Sequence, residues 1–426
     1  MFSWNFKAMK FFLIAFFVYI FLEGVLRKWI FPNQAGMFFY AVKYVLLGAV
    51  YLTYLTLPHS IKAGKILGIK YAVTIYIFLV ITSAITFLGS SNGPILSLFI
   101  IAQYCLPTVL IFSIPLCIKN REQLQRIIKI TILLCVIIYI LGIVQYNSPK
   151  WAFINRYSGE TSTNEIAVAG GAVRITTVFN YITPTGDFCS WIALFCMMIL
   201  TSKPSTKKVV ITTLILLFSI VCAFMVGSRS VVLIIGAYAL FSLIYDTIIN
   251  HRARFIFLAF VAVIITIVYY YNFGIPAFDT FMDRVNHASY DVDTRISKQF
   301  DYESFMDYAG WFGKGAGITS TAIQNLLTNP ADIGYEEEVG RIVIEFGIIG
   351  FIVISGIRIL LLLKMLQLSF KIRNSNLRAL SFACSFAIVP STYYLQLSLY
   401  NWFSYFCYFT FIGLNYAIYH IDRNER

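Results

Sequence analysis

Apolar residues in this chain form long runs rather than the short periodic stripes of a soluble protein. Each run covers roughly 18 residues or more with almost no charged side chain, which is the length that a helix needs to cross a bilayer. The pattern predicts an all-α polytopic membrane protein with about 12 transmembrane helices. The predicted spans are 9–29, 36–57, 71–89, 94–118, 127–145, 184–202, 209–227, 230–249, 254–272, 341–363, 378–397 and 402–420.

Composition supports a membrane protein and excludes several other classes. Hydrophobic residues make up 59% of the 426 residues, and charged residues make up only 12%. Disordered chains, disulfide-stapled modules, coiled coils and nucleic-acid-binding domains do not have this composition. We therefore assign the net charge of +13 to the membrane surface and expect no nucleic-acid partner. All eight cysteines lie in or at the edge of predicted spans, so no disulfide framework is expected.

Basic residues predict the orientation of the chain. If the N-terminus is cytoplasmic, the inner connections hold most of the Lys and Arg residues, whereas the outer connections 90–93 and 398–401 hold none. The positive-inside rule then predicts cytoplasmic N- and C-termini. Two long external segments, 146–183 and 273–340, interrupt a single transmembrane domain that covers 1–426. The second, between spans 9 and 10, carries eleven acids and four bases and predicts a partly helical subdomain or an active-site cover.

Several ionisable residues lie inside the predicted spans, where each indicates a functional site unless it reaches water. Lys43 and Glu345 lie at least one turn inside the outer boundary, and Arg229 lies in a short connection between two spans. These residues predict a polar cavity that opens to the external face. The alternative is interfacial anchoring by side chains that extend to the membrane surface. Arg358, near the inner end of its predicted span, is expected to reach the surface in this way.

Three arginines are candidate ligands of a phosphate group. Arg229 presents a fork of donors at the membrane boundary, which suits a phosphate or diphosphate, but a tight helical hairpin explains it equally well. Arg174 precedes the sixth span among hydroxyl and aromatic residues, a combination that occurs in glycan sites and in aromatic belts alike. Arg295 lies among carboxylates of the long loop, where a local salt-bridge network is the alternative.

A run of acids leads into the tenth span. By their spacing, Glu338, Arg341 and Glu345 share one helix face, and a carboxylate at an arginine-rich membrane edge can act as a general base. The alternative is a solvated helix start, because acids are favoured at helix N-termini. The scattered histidines predict no metal site, and 313–317 lacks P-loop spacing, so it predicts a turn. The candidate catalytic residues are Glu336, Glu337, Glu338 and Glu345.

Together these stretches resemble the superfamily of O-antigen ligases and Wzy-type O-antigen polymerases. The resemblance rests on 23–29, 174–186, Ser228-Arg229-Ser230, Arg295 within Asp-Thr-Arg-Ile-Ser, 313–317 and the sequence Glu345-Phe-Gly-Ile-Ile-Gly350. It implies a GT-C-like helical fold in the bacterial inner membrane with a periplasmic long loop. It further implies a metal-independent, inverting glycosyl transfer from an undecaprenyl-diphosphate-linked glycan, without a cofactor. Arg229 and Arg295 match the arginines that hold the diphosphate in that family.

One departure from the family favours one of its two activities. The ligases carry a His-Asn or His-Ser pair nine residues before the Glu of the Glu-x-Gly motif, and that position is Glu336 here. We therefore predict a surface polysaccharide polymerase, with a ligase as the alternative and a transporter or flippase of lipid-linked oligosaccharide as the alternative of another class. Expected partners are the lipid-linked glycan, membrane lipid and a polysaccharide chain-length regulator. The candidate binding residues are Arg174, Arg229, Arg295, Arg341 and Lys43.

Overall fold

The structure is a computed structural model that describes residues 2–32, 36–58, 67–86, 93–157, 168–169, 172–202, 204–250, 309–319, 338–394 and 401–426. Helices dominate these ranges, and eight of them are long and apolar enough to cross a membrane. The chain is therefore an all-α polytopic membrane protein, as its apolar runs predict. The predicted span 254–272 and the candidate residues Arg295, Glu336 and Glu337 lie outside the described residues.

The first half of the described chain forms six helices. They are α1 (Phe2–Val25), which continues into a π-helical turn (Leu26–Ile30), α2 (Gly36–Leu55), α3 (Leu67–Ala84), α4 (Gly93–Cys105), α5 (Val109–Cys117) and α6 (Arg121–Tyr146). A 3₁₀ turn, Leu106–Thr108, separates α4 from α5 within one predicted span. Pro107 in this turn cannot donate a backbone hydrogen bond, which accounts for the interruption.

The second half begins with a short external stretch and continues with seven helices. The stretch holds a 3₁₀ turn (Phe153–Asn155) and a small antiparallel hairpin of β1 (Val168–Ala169) and β2 (Ala172–Val173). The helices are α7 (Ile182–Thr201), α8 (Thr206–Val226), α9 (Arg229–Asn250), α10 (Glu338–Lys371), α11 (Ser375–Ala387), α12 (Val389–Thr392) and α13 (Trp402–Asn424). We call the end of the bundle that contains Ile30, Ala84, Tyr146 and Val226 the outer end, because the charge pattern predicts it to be external.

Capping residues extend some helices beyond their apolar runs. The predicted start of the fifth span is 127, but α6 begins at Arg121, because the Asn120 side chain accepts a hydrogen bond from the Gln123 amide at 3.0 Å. Asn374 caps α11 in the same way. Apolar periodicity therefore marks the part of a helix that faces lipid or protein, and the caps mark its ends.

Helix α13 occupies the centre of the bundle, where it packs against α5, α7, α10 and α11. Its Asn415 amide donates hydrogen bonds to Ser369 of α10 at 3.1 Å and to Ser381 and Ser385 of α11 at 2.9 and 3.2 Å. Hydrogen bonds of this kind join helices that share an apolar environment. They tie three helices together on the inner side of the break in α10.

Helix α10 is broken at Gly347, where φ is 69° and ψ is −175°. The Glu338 carboxylate lies 2.5 Å from the Arg358 guanidinium although the two residues are 20 positions apart. A straight helix would separate them by about 30 Å. The part from 338 to 346, which we call α10a, therefore folds back along the part from 348 to 371, which we call α10b. Glu338 consequently lies near the level of Arg358, roughly 16 Å along α10b from the break.

The expectation that Arg358 extends to the membrane surface is wrong. Its side chain is buried, and its guanidinium donates to Glu338 and, at 2.8 Å, to the Ser391 carbonyl. The same group lies 4.8 Å from the centre of the Tyr394 ring. These partners come from α10a and from the α12 region, so Arg358 fastens three parts of the bundle together.

Candidate functional site

A buried ionic cluster joins α1 to α2 at the outer end. The Glu23 carboxylate accepts hydrogen bonds from the Lys43 ammonium at 3.0 and 3.2 Å and from the Arg27 guanidinium at 3.2 Å. Lys43 also lies 3.7 Å from the ring centre of Tyr40 and 4.0 Å from that of Trp402. Paired charges and cation–π contacts offset the cost of burying Lys43 and Glu23. The contacts make Lys43 part of the frame at the outer end, and its role in substrate binding stays a prediction.

Residues 174–181, which we call the Arg174 segment, are largely packed inside the outer end rather than exposed as an external loop. The side-chain oxygen of Gln145 accepts hydrogen bonds from the amides of Thr176 and Thr177 at 3.3 and 2.7 Å. The Thr185 hydroxyl donates to the Thr176 carbonyl at 2.7 Å. The segment is thus held by α6 on one side and by α7 on the other.

Helix α1 holds the same segment from a third side. The Lys28 ammonium donates to the Thr176 hydroxyl at 2.9 Å and to the Thr177 carbonyl. One turn earlier, the Val178 carbonyl lies so close to Gly24 that a Cβ atom there would be 1.9 Å from its oxygen. Only glycine allows this approach. The stretches 23–29 and 174–181, which are far apart in the sequence, therefore pack directly against each other.

The backbone of Thr177 is strained. Its φ is 48°, in the left-handed region that a β-branched residue rarely adopts. Such a conformation costs of order 1–3 kcal/mol and persists only where the surroundings enforce it. Here the Gln145 amide group and the Lys28 ammonium bind the two peptide groups of Thr177 directly.

The Arg174 side chain lies against the connection between α8 and α9. Its Nε donates to the Val226 carbonyl at 3.0 Å, and its aliphatic part packs beside Gly227. The adjacent Ile175 amide donates to the Met225 carbonyl at 3.3 Å. Arg229 begins α9 two residues after Gly227. The structure thus brings Arg174 to the turn that carries Arg229, and we call Arg174, Ser228 and Arg229 the arginine site.

Glu345 is buried at the outer end and bound by three donors. One oxygen accepts from the Thr319 amide at 3.2 Å and from the Thr319 hydroxyl at 2.5 Å, and the other accepts from the Tyr104 hydroxyl at 3.0 Å. The Glu345 carbonyl accepts from the Ser83 hydroxyl at 3.2 Å, and Ser83 accepts from the Ala316 amide at 2.7 Å. This arrangement fastens the segment 309–319 to α3, α4 and α10.

The predicted turn at 313–317 is present, and it is attached to the break in α10 rather than flexible. The Lys314 amide donates to the Ile344 carbonyl at 2.7 Å, and the Ile349 amide donates to the Trp311 carbonyl at 3.3 Å. A Cβ atom on Gly347 would lie 2.2 Å from the Trp311 oxygen. Close backbone packing therefore explains why glycine occupies both position 313 and position 347.

Glu338 and Arg341 lie on α10a, which is helical from 338 to 346, so the spacing that places them on one face with Glu345 is kept. Glu338 is 2% exposed, which excludes a solvated helix start for this residue. Its pairing with Arg358 was not anticipated, nor were the contacts of Lys28 and Gln145. An amide within an apolar run, as at Gln145, is the signal that could have drawn attention to that contact.

Among the residues that the structure describes, no group of three or more His, Cys, Asp or Glu side chains is arranged to hold a metal ion. Comparison of the chain with family models and with curated proteins finds no match. Function is therefore inferred from the contacts of the residues themselves.

Proposed function

We propose that this protein is a surface polysaccharide polymerase that joins undecaprenyl-diphosphate-linked repeat units at the periplasmic face of the bacterial inner membrane. The supporting observation is the contact of Arg174 with the connection that carries Arg229. A diphosphate leaves readily when preorganised cations meet its growing charge. A lipid-linked diphosphate presents this group at the membrane boundary, which is where the arginine site is predicted to lie.

The proposed reaction is a glycosyl transfer that needs no cofactor to account for its bonds, electrons and proton. A hydroxyl oxygen of the acceptor unit attacks the anomeric carbon of the donor unit, and the bond from that carbon to the diphosphate oxygen breaks. The lipid diphosphate leaves with the bonding electrons, and the hydroxyl proton passes to a carboxylate. Because Glu338 is engaged by Arg358, we favour Glu336 or Glu337 as this base. Because Thr319 binds its carboxylate, we propose a positioning role for Glu345.

Arg295, Arg341 and Lys43 complete the proposed set of binding residues for the donor. A ligase would use the same donor and the same arginines, so only the acceptor distinguishes the two activities. Membrane lipid and a chain-length regulator are the further partners that we propose.

A transporter of lipid-linked oligosaccharide is the second candidate. It is favoured by the broken helix α10 and by the Glu338–Arg358 pair, which lies well below the break. Transporters place their sites at such broken helices near the middle of the membrane. The two charges of the pair bind each other, and Arg358 also donates to the Ser391 carbonyl, so we rank transport second.

The test uses a strain that lacks this protein and is complemented with wild type, Arg174→Ala, Arg229→Ala or Arg295→Ala. Lipid-linked intermediates and surface glycans are resolved by gel and mass spectrometry. Loss of one charge-stabilising group should lower polymer formation by about 10²-fold or more, while single lipid-linked repeat units accumulate at the periplasmic face. Arg126→Ala is the control, because this exposed side chain lies near the start of α6, away from the outer end.

Each outcome has a distinct meaning. Full-length lipid-linked polymer that fails to reach its acceptor indicates a ligase. Intermediates that stay on the cytoplasmic face indicate a transporter. Wild-type product in both Arg174→Ala and Arg229→Ala contradicts the arginine site.

A further inference from the structure

The Lys28 side chain is fully buried, and its hydrogen bonds go to the Arg174 segment. An ammonium group has three donors. Among the described residues, the Lys28 ammonium binds the Thr176 hydroxyl and the Thr177 carbonyl, and it lies 4.7 Å from the centre of the Trp29 ring. A buried charge is costly unless such groups are presented to it. The position of Lys28 is therefore coupled to the conformation of Thr177.

The strained backbone of Thr177 supports the same coupling. Left-handed conformations of non-glycine residues cluster at functional sites, where they fix a neighbouring group. Thr177 lies three residues after Arg174, and between them the Ile175 amide binds the Met225 carbonyl. If Thr177 relaxed to an extended conformation, its carbonyl would turn away from Lys28 and the chain that carries Arg174 would move.

We infer that Lys28 is a positioning residue that holds Thr177 in its left-handed conformation and so fixes Arg174 against the connection between α8 and α9. We call this contact of Lys28 with Thr177 the latch. Its consequence for catalysis rests on the proposed function, whereas the contact is a property of the fold. Gln145, Thr185 and Gly24 also support the segment, but Lys28 alone binds the Thr177 carbonyl among the described residues.

The first experiment measures release of the segment directly. Ile175 is inaccessible, so a cysteine in Ile175→Cys should react slowly with a membrane-impermeant maleimide. The eight native cysteines are free, with seven buried and Cys407 half-buried, so the parent protein provides the background. With Lys28→Met the cysteine at 175 should be labelled several-fold faster. With Lys28→Arg, which keeps a charged donor, labelling should return toward the slow rate.

Two controls separate local release from general effects. Lys150→Met makes the same chemical change at an exposed outer position and should leave labelling at 175 slow. Ala193→Cys reports on the buried interior of α7 and should stay unreactive when Lys28 is replaced. If Lys28→Met does not accumulate, Thr176→Val removes one acceptor of Lys28 and should give a smaller increase in labelling.

Polymer measurements on the same variants separate this inference from the proposed function. Two results together support the positioning role. Lys28→Met should speed labelling at position 175 and abolish long chains, and Lys28→Arg should restore slow labelling and long chains. Unchanged labelling in Lys28→Met and in Thr176→Val overturns the latch, even if the wild type makes polymer. If Lys28→Met speeds labelling but the wild type makes no polymer, the positioning role of Lys28 is supported and the proposed polymerase function is contradicted.

Discussion

Two pairs of opposite charges in the described part of the chain connect helical segments in apolar surroundings. Glu23 of α1 binds Lys43 of α2, and Glu338 of α10a binds Arg358 of α10b. Both partners of each pair lose their hydration, so each pair holds only while its geometry is kept. These charges therefore specify how segments pack, whereas Arg174 and Arg229 are half-buried and their role in binding a ligand stays a prediction.

The break at Gly347 predicts that adding a methyl group at this position destabilises the protein. Gly347→Ala forces a Cβ atom against the Trp311 carbonyl and strains a positive φ, so we expect the protein to lose about 1–3 kcal/mol of stability or more. Thermal unfolding of the detergent-solubilised protein measures this loss. Gly356→Ala is the matched control, because it lies in the same helix with open space around its Cβ position.

For Gly356→Ala we expect no loss of stability, or a small gain from helix propensity. Equal unfolding temperatures for Gly347→Ala and Gly356→Ala would show that the break in α10 tolerates a side chain and is not locked by segment 309–319.

The sequence predicts burial better than it predicts partners. Lys43 and Glu345 were expected at least a turn inside the boundary, and both are buried. Their partners are far away in the chain, as with Tyr104, which lies 241 positions from Glu345. No local pattern encodes such a contact. Arg358 was misjudged for the same reason, because its partner Glu338 reaches it only through the break at Gly347.

At the scale of elements, α10 shows where periodicity is insufficient. The apolar run contains Glu345 but continues through Gly347 to Ile357, so the sequence predicts one span over 341–363. A fold-back leaves both halves in apolar surroundings, so hydropathy does not reveal it. The local signals are Glu345 and the closely spaced glycines at 347 and 350.

The fold-back can be tested with a double-mutant cycle. Arg358→Met leaves the Glu338 carboxylate buried without this partner, and such changes cost about 3–5 kcal/mol. Glu338→Gln combined with Arg358→Met removes both charges, so the double variant should be more stable than Arg358→Met alone. Denaturant unfolding in detergent gives the coupling energy.

Arg373→Met is the control for this cycle, since its exposed side chain follows the end of α10. It should leave the unfolding midpoint unchanged. Additive effects of Glu338→Gln and Arg358→Met would mean that the pair does not couple α10a to α10b.

At the scale of the whole molecule, apolar runs were enough to predict the class of protein. Eight described helices have the length and composition to cross a membrane. The predicted span 378–397 falls on the two short helices α11 and α12, and the predicted span 341–363 contains the break in α10. The ends of the helices depend on caps, and the burial of the Arg174 segment depends on contacts with α1 and α6. A polar external stretch and a segment packed into the outer end are alike in composition, so the sequence could not distinguish them.

Orientation is the property of the whole molecule on which the proposed function depends. The positive-inside rule predicts that Lys150 faces the periplasm and that Arg126 and Arg423 face the cytoplasm. All three side chains are exposed, so cysteines introduced there are accessible to a reagent on their own side. An impermeant maleimide should label Lys150→Cys in intact cells, and should label Arg126→Cys and Arg423→Cys only after the membrane is opened. The reverse pattern would place Arg174 and Arg229 on the cytoplasmic face. No polymerisation of periplasmic lipid-linked units could then occur at the arginine site, whereas the contacts of Lys28 and Arg358 would be unaffected.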